Sequence, residues 1–288
     1  MQPIRLIAMD MDGTLLTRID PSTAYIPKEN ADALRQAAAR GIHLALASGR
    51  MPDDASFFAI DAGLPMHVIS LNGGMTLDKP LGDPVDSRLL PEKTARRVLS
   101  ILQETTLDIA VFGAWEVVSI RANPLSWARQ KLGTYYGREG GRLVYRDCGN
   151  GVEALLCQTA KIVAMTDIDR DGLQKARRRI LAECPHVEIS SSWWDNFEVN
   201  PQGANKGAAL TALAGRLGIP MSQVMAIGDN DNDIPMITAA GVGIAMGNAT
   251  ASTKAAADYI TLPNDAHGVA AAIRSLAFGE DIHGIQRV

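Results

Sequence analysis

The chain alternates short apolar runs with amphipathic stretches, and that alternation predicts its organisation. Residues 5–9, 43–47 and 67–71 are mostly apolar segments of buried-strand length. Between them, residues 27–40 and 52–62 have helical spacing. Pro27 suits a first helical turn, Gly41 a helix stop, and Gly63 with Pro65 ends the second helix. Strand, helix, strand in this order predicts a parallel α/β sheet. Asn72-Gly73-Gly74 reads as the turn after the third strand.

The pattern changes after the break Pro80-Leu81-Gly82-Asp83-Pro84. Residues 91–105 read as an amphipathic helix, and 107–112 with 115–120 as strands around Gly113-Ala114, a hairpin. Residues 133–151 are Gly-rich and read as loop. A strand over 161–166, a helix over 171–183 and a strand over 187–191 follow. Hairpin-joined strands with few helices predict an inserted α+β module. Strict alternation returns after Pro201. Helices are expected at 206–217, after residue 233, at 249–257 and at 268–278, with strands at 224–227 and 242–245. The expected division is a core of residues 1–85 and 197–288 with an inserted module of 86–196. The fold class is α/β, a doubly wound parallel sheet with an α+β insertion.

The composition is that of an ordinary globular chain: 288 residues, 47% hydrophobic and 21% charged. A net charge of −4 gives no basic field for a nucleic-acid polymer or an anionic membrane, so neither is expected as a partner. Cys148, Cys157 and Cys184 are an odd set without CxxC spacing, which argues against a disulfide framework or a zinc site. No long apolar run precedes Asp10 and none reaches membrane-spanning length, so a cytoplasmic protein is expected. Oligomeric state is not legible.

Against this background, the carboxylates at strand ends need a reason. Asp10 and Asp12 follow the first apolar run, and each would lose hydration and repel the other on burial. Asp229, Asp231 and Asp233 crowd the end of a later one. A calcium loop does not fit there, because its glycine position holds Ile234 and its bidentate acid position Ala240. A helix N-terminus accounts for Asp231 or Asp233 but not for Asp229. In an open α/β sheet these strand ends share one edge, where ligands bind. Together the acids read as a Mg²⁺ site. Ser48-Gly49 precedes a helix. Ser48 or Asp53 could cap it, or the Ser48 hydroxyl and Gly49 amide could hold an anionic oxygen. Lys206 opens another helix, against its dipole: either a solvated lysine at small cost or a phosphate clamp. Trp193 and Trp194 near the module's exit read as packing residues.

Asp10-Met11-Asp12-Gly13-Thr14, Ala47-Ser48-Gly49-Arg50, Asn205-Lys206-Gly207 and Gly228-Asp229-Asn230-Asp231-Asn232-Asp233 occur in the order of the four motifs of the haloacid dehalogenase superfamily. With its long insertion between the second and third motifs, the chain resembles the Cof-type subfamily with a C2B cap. Asn72-Gly73-Gly74 is similar to that family's Asn-Gly-Ala turn, and Ser48 stands where threonine is commoner. The resemblance implies a doubly wound, Rossmann-like core and an inserted cap that selects substrate. It implies Mg²⁺-dependent hydrolysis of small phosphorylated metabolites through an aspartyl-phosphate. Asp10 would be nucleophile and metal ligand. Asp12 would be general acid and base, with its backbone carbonyl on the metal. Asp229 would be a ligand and Asp233 would orient the metal shell. The Met11 amide, Ser48, Gly49, Lys206 and Asn232 would hold the phosphoryl oxygens. Gly13 and Thr14 would shape the turn. Arg50 has no assigned part; it could pair with an acid or face solvent. A phosphosugar mutase and a non-catalytic phosphometabolite-binding regulator are the rival readings. A phosphorylated receiver domain fits poorly, since the inserted module has no place in it.

Overall fold

A computed structural model describes residues 2–16, 24–121, 135–190 and 195–288. Its contacts divide the chain into two units, Met1–Asp86 with Asn205–Val288, and Ser87–Ala204.

The larger unit is built on a nine-stranded sheet. Its strands are β1 (Leu6–Met9), β2 (His43–Ala47), β3 (Met66–Ser70), β4 (Met75–Leu77) and β5 (Pro84–Ser87), then β12 (Val224–Gly228), β13 (Val242–Ala245), β14 (Tyr259–Ile260) and β15 (Gln286–Arg287). The order is β15-β14-β13-β12-β1-β2-β3-β4-β5. The run from β14 to β3 is parallel, and β4 and β15 add antiparallel edges. The chain moves from β1 towards β2 and β3, then returns to lay β12, β13 and β14 on the other side of β1. The β1/β12 boundary is thus the topological switch point, where a crevice opens at the carboxyl ends of the strands. Every residue of β1 and β12 is buried. Such strands carry no polar alternation because both faces of the sheet are covered by helices. Helix Lys28–Ala39 packs on the helix Gly268–Ala272, and helix Lys206–Arg216 on the helix Ile234–Ala239.

The smaller unit has a six-stranded sheet of β6 (Asp108–Phe112), β7 (Glu116–Ser119), β8 (Val144–Arg146), β9 (Lys161–Met165), β10 (Val187–Ser190) and β11 (Asn196–Pro201). Their order is β10-β11-β9-β6-β7-β8, antiparallel except for β7 with β8. Helices Glu92–Gln103 and Arg170–Glu183 bury Val98, Leu102, Leu173 and Ile180 in one core with Ile109, Val111, Ile162, Ala164, Phe197 and Val199. On β11 the alternate residues Asn196, Glu198 and Asn200 are also buried, and Glu198 pairs with Lys161 at 2.9 Å.

Two sequence expectations change here. The expected return to the core at residue 197 falls inside β11, which pairs with β9 and β10; the larger unit resumes at Asn205 instead. The Gly-rich stretch holds a short strand, Val144–Arg146, paired with β7. Trp193 and Trp194 lie outside the described residues.

Candidate active site

Parallel register carries the polar clusters to one edge. Met9 aligns with Leu46 on β2 and with Ile227 on β12, so Asp10, Ser48 and Asp229 leave three adjacent strands near the same level. The Asp10 amide donates to the Ile227 carbonyl at 3.0 Å, which extends the ladder to the first acid. The turn after Asp10 is held by side-chain amides on its carbonyls. Asn248 donates to Gly13 at 2.8 Å and the buried Asn30 to Leu15 at 3.2 Å. The nucleophile candidate therefore sits on a rigid strand end with a fixed exit.

Lys206 is not a solvated lysine. It is fully buried, with Nζ 2.5 Å from Asp10 Oδ1 and 2.6 Å from Asp233 Oδ1. Its helix starts at an Asn205 N-cap, whose side chain accepts from the Ala208 amide at 2.9 Å. Burial alone would lower the Lys206 pKa, but the two carboxylates outweigh it and hold the ammonium charged. Asp233 spends its other oxygen on the loop: Oδ2 accepts from the Asp229 and Asn230 amides at 2.9 and 3.1 Å. It therefore braces the loop that carries Asp229.

Asp229 accepts from the Thr14 hydroxyl at 2.7 Å, so Thr14 touches the acid cluster. Gly13, at φ +78°, lies against the same carboxylate; a Cβ there would stand 2.4 Å from Asp229 Oδ2. Oxygens of Asp10, Asp229 and Asp233 all lie within 4.8 Å of one another. Three carboxylates crowd beside one lysine, and burial leaves two of them holding protons more tightly than usual. Burial pushes the Asp10 carboxyl well up against the pull of Lys206, with Asp233 and Asp229 adding to the rise. Burial likewise pushes Asp229 up to about 6, against its hydrogen bond from Thr14. Hard oxygen donors with uncompensated negative charge are the set a small divalent cation fits. Asp10, Asp229 and Asp233 each offer an oxygen that could hold it.

The remaining sequence-predicted residues form a second group. Met11 is buried. The Ser48 hydroxyl, also buried, accepts from the Arg50 amide at 3.2 Å. Asn232 is exposed, and its side-chain amide donates to Asn72 at 3.2 Å. Asn72 holds a left-handed conformation at φ +56° and donates its backbone amide to the Ser48 carbonyl at 2.9 Å. That turn thus ties the Ser48 loop to the Asn232 loop. The Asp12 carboxylate stands apart from the three-acid cluster. It accepts two hydrogen bonds from Arg50, at 2.6 and 2.8 Å. Sequence reasoning left Arg50 without a part. The only local signal was Asp54, four residues on in the first turn of helix Pro52–Asp61.

Among the described residues no helix is long and apolar enough to cross a membrane. A family model described as haloacid dehalogenase-like hydrolase matches residues 7–273. The chain is 32% identical to phosphatase YwpJ of Bacillus subtilis, over 95% of this chain and 100% of that protein. It is also 32% identical to the 5-amino-6-(5-phospho-D-ribitylamino)uracil phosphatase YcsE of the same organism, over 94% and 95%. The crystal structure of a haloacid dehalogenase-like hydrolase from Bacteroides thetaiotaomicron superposes with a TM-score of 0.80 at 28% identity, covering 95% of this chain and 99% of that one. The doubly wound core, the motif residues gathered at its strand ends and these matches agree: the chain belongs to the haloacid dehalogenase-like hydrolase family.

Proposed function

We propose that this protein is a Mg²⁺-dependent phosphatase of small phosphorylated metabolites that works through a phosphoaspartyl intermediate on Asp10. One observation carries the reading. Asp10 lies between the buried Lys206 and the Asp229 carboxylate, while Asp12, two residues on, keeps its own carboxylate outside that cluster.

A carboxylate attacks phosphorus only when ionised, and Lys206 favours that form of Asp10. An Asp10 oxygen forms the new bond to phosphorus as the bond to the leaving oxygen breaks. Asp12 supplies the proton that the departing alcohol needs, then takes one from the water that releases phosphate and restores Asp10. Lys206, Ser48, the Gly49 and Met11 amides and Asn232 hold the phosphoryl oxygens as their charge redistributes. Mg²⁺, held by Asp10, Asp229 and the Asp12 carbonyl, would offset repulsion between the nucleophile and the substrate dianion. Asp233 acts on this set by fixing the loop of Asp229. The unit Ser87–Ala204 would select among substrates.

The test is a panel of phosphorylated sugars, nucleotides and cofactors, with products identified. Free phosphate that depends on Mg²⁺ and is lost with EDTA supports the reading. An isomerised phosphate ester without net release supports a mutase, and binding without turnover supports a regulator.

A further inference from the structure

We propose that Arg50, anchored on the buried carboxylate of Asp54, is a positioning residue that fixes where Asp12 presents its carboxyl group. The inference rests on the reading of Asp12 as proton donor and acceptor.

Arg50 meets Asp12 fork to fork: Nε donates to Oδ2 at 2.8 Å and Nη2 to Oδ1 at 2.6 Å. Its remaining terminal nitrogen, Nη1, donates to Asp54 Oδ2. The Asp54 side chain is fully buried and that of Arg50 is 13% exposed, whereas that of Asp12 is 41% exposed. The Phe58 ring lies 5.1 Å from the guanidinium carbon. Asp54 and Phe58 are four residues apart on helix Pro52–Asp61, so one helical face sets the plane of the guanidinium. The Arg50 backbone is fixed too, with its amide on the Ser48 hydroxyl and its carbonyl accepting from Leu71.

The arrangement is asymmetric. One end of the arginine is locked in the core, and the other holds a carboxylate that is partly open to solvent. A clamp serving stability alone would join two buried elements. This one transmits the rigidity of a helix to a side chain two residues beyond the nucleophile. A lysine would match the charge but could not set the carboxylate plane, since an ammonium lacks the planar fork. Proton transfer by a positioned side chain contributes about 10²- to 10⁴-fold, and a mispositioned one forfeits part of that.

The readout is how the rate depends on the leaving group. p-Nitrophenyl phosphate releases a stable phenolate that needs no proton, whereas benzyl phosphate, of similar shape, releases an alkoxide that does. With Mg²⁺ present, Arg50→Gln should lower kcat/KM for benzyl phosphate about tenfold more than for p-nitrophenyl phosphate. Arg50→Lys should fall between it and wild type, and Asp54→Asn should shift the ratio in the same direction by less. Because both substrates are assayed on one preparation, any loss of folded enzyme cancels in the ratio. Equal falls for both substrates in Arg50→Gln would overturn the proposal and make Arg50 a structural or phosphate-binding residue. Asp12→Asn separates the two levels. If it shows the differential and Arg50→Gln does not, the positioning role alone fails. If Asp12→Asn shows no differential, the proton-transfer reading fails and the positioning role fails with it.

Discussion

The Lys206 ammonium lies 2.6 Å from Asp233 Oδ1, with neither side chain exposed to solvent. The same nitrogen reaches Asp10, so one cation links the strand-end acid of β1 to the brace of the Asp229 loop. Removing it should act on stability and chemistry together. Lys206→Met leaves two buried carboxylates without their counterion. It is expected to cost about 3 kcal/mol in urea unfolding without metal and to abolish turnover. Part of the lost stability should return with Mg²⁺. Unchanged stability would contradict the role of Lys206 as the shared counterion of these two acids.

The acid cluster should also make stability depend on pH in a direction that metal reverses. Asp229 is raised from 3.8 to about 6, chiefly by burial. Between those values the native carboxyl holds its proton while the unfolded one has released it. The native state therefore binds more protons, and this contribution to stability is full below 3.8 and lost as pH rises through about 6. Metal binding needs the ionised form. Thermal unfolding should show a larger Mg²⁺-induced rise in Tm at pH 7.5 than at pH 5. An equal rise at both would contradict the cluster's role as the cation site.

Gly13 tests the turn after the nucleophile. Its positive φ disfavours any L side chain, by about 1–2 kcal/mol, and a Cβ would press on Asp229. Gly13→Ala should lower stability by that amount and raise the Mg²⁺ concentration needed for half-maximal activity. Wild-type Mg²⁺ dependence in this variant would show that the Asp229 carboxylate can move without consequence.

The parts legible in the sequence are those whose information is local. The apolar runs of β1, β2 and β12 announced a sheet covered on both faces, and the acids at their ends marked its edge. What escaped was set by distant partners. β11 alternates Phe197 and Val199 with Asn196, Glu198 and Asn200, and its polar residues break up any apolar run that would announce a strand. It is a central strand because β9 and β10 flank it and Lys161 neutralises Glu198. Arg50 was equally opaque, since its partner Asp12 lies 38 residues away in sequence. The burial of Lys206 depends on Asp10 and Asp233 arriving from two other motifs, so its first-turn position alone could not separate a solvated lysine from a clamp.

The central claim is that Asp10 carries the phosphoryl group, and trapping the intermediate tests it most directly. Mg²⁺-loaded enzyme is acid-quenched during turnover of ³²P-labelled p-nitrophenyl phosphate and mapped by peptide. The account predicts acid-stable, base-labile label on the peptide containing Asp10, and none in Asp10→Asn. Label on another residue, or label and turnover retained in Asp10→Asn, would contradict it.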